Sequence, residues 1–328
     1  MAMAKKRAAL GAVAAVLAAL IGALPAAAQD WPTKSVRIIV PFAAGATPDI
    51  VARLIAEQLQ DKLGQTFIVE NRPGASGNTG TDAIAKAAPD GTTIGVSIGG
   101  PLAINTLLFD DLPYDPRKDL SFITLLVTQP SALAVNTSLG VSSTQELIAL
   151  IKRNPGKYNF GSIGTGSLSQ LAMAAIALKS GAQIVHVAYA SSPQAMTALM
   201  RNEVQMVCLP AAAVVPQLSG GTVKLLAVTT AERSPLLPGV PTLKEAGIDV
   251  EADAWSGLVA PAGVPDAMIE RINHEVTEAI TSRAIREKLT AQLMEPIPDT
   301  PAQVRARIDA DLARWAPVIA AANIRINN

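Results

Sequence analysis

Apolar positions along this chain follow two rhythms. Short β-branched runs predict strands at Val36–Pro41, Thr66–Glu70 and Thr93–Ser97. Between the first two, Ile50, Val51, Leu54, Ile55 and Leu59 recur at helical spacing within Pro48–Leu63, and Gly64 closes the helix. Glycine-rich Asn71–Gly80 then leads into a second helix running to about Ala88. Strand and helix in strict alternation predict a mainly parallel sheet with helices on both faces. VRIIVP is nearly unbroken in its apolar character, as a strand covered on both faces should be. The rhythm restarts with strand Ala132–Asn136 and helix Thr144–Arg153, capped by Ser143 or Thr144. Strand Asn159–Ser162, helix Ser167–Ser180, strand Ile184–Ala188 and helix Pro193–Arg201 follow, then strands Gln205–Leu209 and Lys224–Thr229. Helices Pro265–Ser282, Ala284–Gln292 and Pro301–Ala322 end the chain, the last with an apolar stripe through Val304, Ile308, Leu312, Trp315 and Val318. Two α/β units joined by an extended link, Phe122–Ser131, predict two lobes, with the helices after Gly257 returning to the first. The expected division is 29–128 plus 252–328 for one lobe and 129–251 for the other.

The first residues read as a targeting signal. Lys5, Lys6 and Arg7 precede an apolar run, Ala8–Leu24, and Pro25 and Ala26–Ala28 supply small residues for cleavage before Gln29. The expected mature chain is Gln29–Asn328, exported to the periplasm. The only cysteine, Cys208, is far from that cleavage site, so no lipid anchor is expected. Without Lys5, Lys6 and Arg7, the 27 basic residues become 24 against 27 acidic ones, a formal net charge of −3. With 3% aromatic residues and no basic cluster, nucleic-acid binding is not expected. Cys208 lies in the apolar run MVCLP and reads as a core residue. His186 and His274 are far apart, with no cysteine or carboxylate at ligand spacing, and no metal site or cofactor is expected.

Candidate chemistry sits where strands feed small-residue loops. In Pro41–Asp49 (PFAAGATPD), Gly45 permits positive φ, Thr47 can cap, and Pro48 suits the first helical turn. In Gly161–Ser167 (GSIGTGS), Ser162, Thr165 and Ser167 add hydroxyls. Free amides at a helix start, with the positive end of its dipole, suit an anion. Each loop taken singly is also what an ordinary strand-to-helix turn looks like. Asp49 is expected exposed at its helix start, either as a partner of the dipole or as a ligand contact. Asn71–Gly74 is either a binding loop or a turn held by Arg72. His186, inside QIVHVAY, reads as a satisfied strand residue rather than a general base. The glycines match neither a phosphate-binding loop nor a dinucleotide fingerprint, and no G-x-S-x-G elbow occurs.

Six segments together carry a resemblance: PFAAGATPDIVAR, FIVENRPGASGNTG, FGSIGTGS, HVAYASSPQAMTALM, LAVTTAERSPLLPGVPTLKEAG and WSGLVAPAGVP. In order and spacing the chain resembles the substrate-binding subunits of tripartite tricarboxylate transporters, the Bordetella uptake gene family, from Trp31 to the final helices. The resemblance implies a two-lobed periplasmic binding protein of the Venus-flytrap, type II-like class. It implies capture of a small organic acid and its delivery to the transporter's membrane subunits, and the mature chain is expected to be a monomer. It places Phe42, Ala43, Ala44, Thr47 and Asp49 on one jaw and Gly164, Thr165 and Ser167 on the other. Ser97, Gly99 and Gly100 would line the floor, and Tyr189, Ala190 and Ser191 the far wall. The chain departs from the family at Ala46, where a second glycine is usual, and at Ala190–Ser191, where the family carries Lys-Gly. An acidic residue common near Cys208 is replaced by Leu209 or Pro210. Two other classes stay open: a ligand sensor facing a membrane signalling receptor, and a periplasmic enzyme on the same scaffold. The ligand itself is open among mono-, di- and tricarboxylates and aromatic acids.

Overall fold

The computed structural model describes residues 31–326, so the targeting signal expected over residues 1–28 lies outside the described residues. Strand β1 (Val36–Val40) buries four of its five residues. Helix α1 (Thr47–Leu63) lays Val51, Ala52, Ile55, Ala56 and Leu59 against that sheet and stops at Gly64, whose φ of 68° turns its N–H back to Gln60 O. Parallel to β1 run β2 (Phe67–Asn71) and β3 (Thr93–Ile98), with α2 (Asn78–Ala85) between them in sequence. A π-turn over Gly100–Ile104 continues into α3 (Asn105–Leu108).

Where the pattern predicts an extended link, the structure has the ten-residue strand β4 (Leu120–Gln129), followed after Pro130 by β5 (Ser131–Asn136). The second unit adds α4 (Thr144–Arg153), β6 (Asn159–Ser162), α5 (Leu168–Ser180) and β7 (Val185–Ala188). It continues through α6 (Ser192–Met200), β8 (Met206–Pro210), α7 (Ala211–Val214) and β9 (Val223–Val228). The chain returns through β10 (Ala254–Pro261), α8 (Asp266–Thr281), α9 (Arg283–Thr290), the short β11 (Glu295–Pro296) and α10 (Pro301–Ala321).

Two sheets result, ordered β11-β4-β10-β3-β1-β2 and β7-β6-β8-β5-β9. The two-lobed α/β architecture is as expected, but each sheet is mixed rather than mainly parallel. The reason is topological. β4 leaves the first sheet for the second, and β5 arrives there with no crossover helix to reverse it, so β5 runs antiparallel to β8. β10 arrives from the second unit and likewise runs antiparallel to β3 and β4.

This wiring also orients both sheets. β4 ends at the crossing and points the same way as β1 and β3, so the carboxyl ends of those strands face the second sheet. β5 starts at the crossing, so the carboxyl ends of β6, β7 and β8 face the first. The candidate loops therefore line one cleft from its two sides, where ligands of α/β sheets bind.

Helices α8 and α9 return to the first lobe, packing Ile272, Val276 and Leu289 with Ile55 and Leu59. The last helix differs from expectation. Val304 and Ile308 of α10 pack with Phe122 and Trp255, whereas Trp315, Val318 and Ile319 join Leu171 and Phe160 of the second lobe. Helix α10 is shared because its apolar stripe is long enough to serve both cores. Among the described residues, no helix is long and apolar enough to cross a membrane.

Candidate functional site

On the first lobe's edge, α1 starts with Thr47. Its N-cap is Ala46, in extended conformation and without a side-chain cap bond, so Thr47 does not cap as expected. Ala46 N instead donates to Ala43 O (3.2 Å), and Gly45 N donates to Asp49 Oδ2 (2.8 Å). Among the described residues, the amides of Ala43, Ala44 and Thr47 donate to nothing. Asp49 is buried at 2% exposure, contrary to its expected exposed position. Arg53 Nε (3.0 Å) and Asn71 Nδ2 (2.9 Å) also donate to its carboxylate. Burial opposes its charge, but the bonds from Arg53, Gly45 and Asn71 prevail and hold the carboxyl below its ordinary pKa. Asp49 is thus a clasp that shapes the loop, with its oxygens already taken. Asn71 also donates to Phe42 O (3.0 Å), tying the β2 end to the jaw.

The floor follows β3. Ser97 is fully buried and shares a hydrogen bond with Thr81 (3.3 Å). Gly99 has an ordinary φ of −54°, and its need for glycine is spatial: a Cβ there would sit 2.8 Å from Trp255 Nε1. Trp255 Nε1 donates to Asp311 (2.7 Å), which Arg314 (3.1 Å) and Arg307 (3.5 Å) flank. Arg307 also pairs with Asp253 (2.6 Å), to which Thr128 donates (2.8 Å), and Arg314 pairs with Glu251 (2.9 Å). Floor, crossing strand and α10 are therefore one polar network. Gly100, half-buried, opens the π-turn. At about 1.5 Å per residue, the helical run from Gly100 to Leu108 spans roughly 12 Å. It ends against the second jaw, where Leu108 and Ile326 side chains pack directly on Gly166.

In that jaw, Ser167 caps α5, and Gly166 N donates to Gln170 Oε1 (2.7 Å). Gly164, at φ 118°, donates its N–H to Ser162 Oγ (3.2 Å), so its amide serves the loop. Among the described residues, the Thr165 amide donates to nothing. The β7 loop stands beside this turn because β6 and β7 are parallel neighbours. The Tyr189 ring lies against Gly161 and is partly buried in the cluster beneath α6. Ala190 is exposed; its N–H donates to Gln194 Oε1 (3.0 Å), and Ser191 caps α6. The sequence pattern misses a third loop on this edge, Pro210–Ala213 after β8, although its strand-then-small-residues signature matches the others.

His186 Nε2 lies 2.6 Å from Ser162 Oγ, and Nδ1 lies 3.1 Å from Gln170 Nε2. A serine–histidine pair invites a catalytic reading, but the proton directions oppose it. Because Gln170 Oε1 accepts from Gly166, its NH2 must face His186 Nδ1. That nitrogen accepts, so Nε2 carries the proton and donates to Ser162, whose own proton goes to Gly164 O (3.1 Å). A base taking the serine proton would need the opposite tautomer. The ring, stacked on Phe160 (centroids 5.0 Å), braces the jaw from an open groove of about 510 Å³ that also holds Gln170. Burial pushes the His186 pKa below its ordinary value. The unfolded chain therefore takes up this proton first, and stability is lost as pH falls below about 6.5 toward the lower folded value. In urea unfolding, His186→Asn is expected to lose less stability than the wild type between about pH 7.5 and 5.5. Equal losses would show that burial leaves the proton affinity of His186 the same in the folded and unfolded chains.

Contrary to the expectation that no carboxylate stands at ligand spacing from a histidine, His274, Glu275 and Glu278 gather on α8 with ligand atoms within 4.8 Å of one another. Lys62 places its ammonium 2.7 Å from Glu275 and also pairs with Glu278, so a cation already fills this cluster.

Residues 51–324 match the sequence profile of the tripartite tricarboxylate transporter family receptor. The chain is 35% identical over 299 residues to the protein BugT of Bordetella pertussis, covering 90% of this chain and 92% of that one. Among solved structures, R. palustris Rpa4515 with adipate superposes with a TM-score of 0.80 at 33% identity, covering 91% of this chain and 100% of the other. MatC from Rhodopseudomonas palustris with bound malate gives 0.75 at 30% identity, covering 88% and 100%.

Proposed function

The chain belongs to the tripartite tricarboxylate transporter receptor family, and from that premise we propose that it is a periplasmic solute-binding protein for a small organic carboxylate. It holds the acid between the two jaws and presents the closed form, as a monomer, to the membrane subunits of a tripartite transporter. The observation that carries the proposal is the set of unoccupied amides at two helix starts, Ala43, Ala44 and Thr47 on one lobe and Thr165 on the other, on strand ends that face each other. Those donors suit a carboxylate and need no cationic side chain. Adipate and malate in the related structures support the ligand class. We assign the lobes to 29–128 plus 252–328 and to 129–251, with the end of α10 serving both. Gly99 and Gly100 form the floor, and Ala190 and Ser191 the far wall. Binding rather than catalysis fits the His186 tautomer.

A thermal-shift screen of Gln29–Asn328 against organic acids tests the proposal. A true ligand at a hundredfold its Kd should stabilise by about 2.7 kcal/mol. Small-angle scattering with that acid is expected to show a smaller radius of gyration, because each jaw brings its donors to the same group. No stabilisation by any acid in a broad panel would reject the proposal. An unchanged scattering profile at saturation would reject closure of the jaws.

A further inference from the structure

We infer that Gln170 and His186 are positioning residues of the second jaw, holding the Thr165 amide toward the ligand only while the imidazole is neutral. The inference rests on the cleft binding an organic acid at all. Across residues 163–167, among the described residues, every amide but that of Thr165 is spent on the turn itself or on the start of α5. Ile163 N donates to Ser169 Oγ (3.0 Å), and Ser167 N donates to Gly164 O (3.3 Å). The two residues flanking Thr165 are tied to one imidazole. Gly164 N donates to Ser162 Oγ (3.2 Å), which accepts the Nε2 proton of His186 (2.6 Å). Gly166 N donates to Gln170 Oε1 (2.7 Å), whose NH2 donates to His186 Nδ1 (3.1 Å). His186 thus closes a circuit of hydrogen bonds around the amide that this turn leaves for a ligand. Both flanking glycines sit at positive φ, 118° and 76°, and such residues constrain the backbone little by themselves.

The circuit accommodates one imidazole proton and no second. Another proton would set Nδ1–H against the Gln170 NH2, two donors 3.1 Å apart. Turning the Gln170 amide over would mend that contact but set its NH2 against Gly166 N, 2.7 Å away. Either arrangement leaves a donor without its acceptor, and Gln170 is only 8% exposed, so water replaces little of the loss. A proton can reach the imidazole, because His186 is half-buried along the open groove of about 510 Å³. From β6, α5 and the end of α10, His186 faces Phe160, Gln170 with Ala174, and Val318 with Ile324. Among the described residues lining the groove, His186 alone titrates. Burial, with no neighbouring charge to offset it, holds its pKa below the ordinary value. The jaw is therefore intact at neutral pH and above. Carboxylate affinity falls as pH drops below about 6.5, into the range where the imidazole takes up its second proton.

Calorimetry with adipate and with malate, at about pH 7.5 and about pH 5.0, compares the wild type with Gln170→Glu. The carboxylate of that variant accepts from Gly166 N–H and from a protonated Nδ1 together, so the circuit stays closed when the imidazole is charged. Protonation of the acid itself is common to both proteins and cancels in the ratio between them. Between the two pH values, wild-type affinity is expected to fall at least about threefold further than that of Gln170→Glu. Parallel pH profiles, in a variant whose circular dichroism matches the wild type, would overturn the inference. NMR of the ligand-free protein tests the same circuit without any acid. The imidazole nitrogen shifts of His186 are expected to place its proton on Nε2 at neutral pH, and the Gly164 and Gly166 amide signals to titrate with it. A proton on Nδ1, or glycine amides that stay still while His186 titrates, would overturn the inference while leaving carboxylate binding untouched. Failure of adipate, malate and the wider panel alike would instead reject carboxylate capture, and this role with it.

Discussion

Arg307→Ala is expected to lower folding stability by about 3 kcal/mol, the low end of the cost of stripping a buried ion pair of one partner. The guanidinium lies between Asp253 and Asp311, whose side chains are 10% and 4% exposed, while its own is 20% exposed. Without it, Asp253 keeps only the Thr128 hydroxyl, and Asp311 keeps Arg314 and the Trp255 indole. Two desolvated carboxylates would then share one remaining cation. Arg307 also lies over the Trp255 ring at 6.0 Å, so the indole that roofs Gly99 should become more mobile. Arg307→Lys keeps the charge without the planar fork and should lose less. Equilibrium urea unfolding measures both variants. A loss below about 1 kcal/mol for the alanine variant would class the network with exposed surface pairs, which contribute that little.

Much of the architecture follows from periodicity and caps. Gly64 closes its helix as the pattern predicts, and Ser143, one of the two caps expected, starts its own, because each acts through local chemistry. Features that depend on distant residues do not show in the pattern. LSFITLLVTQ has the composition of a strand, but its central place in the sheet comes from β10, more than a hundred residues later. Asp49 looks like an exposed first-turn acid because the groups that bury it, Asn71 and the folded-back Gly45 amide, are set by the β1–β2 pairing and the loop. Gly99 is a glycine because of Trp255, and its φ gives no hint of that. The two jaws are legible as strand-to-helix turns, whereas which of their amides stay free is decided by side chains such as Ser162 and Gln170.

Thr47→Pro is expected to weaken carboxylate binding by about ten- to a hundredfold, and Thr47→Ala to leave it within about threefold. Thr47 is the first residue of α1, and its amide has no partner among the described residues. Proline removes that N–H, and its fixed φ suits a first helical position. The residue before it, Ala46, already has φ −71° and ψ 156°, the extended conformation that a following proline requires. The fold should therefore survive, which circular dichroism and urea unfolding can verify. Alanine removes only the hydroxyl, so the difference between the two variants isolates the backbone donor. A charge-assisted bond from that donor is worth about 1.5–3 kcal/mol, which sets the expected range. Calorimetry with the tightest acid from the panel decides the matter. Equal affinities for the proline and alanine variants would place the carboxylate away from the start of α1.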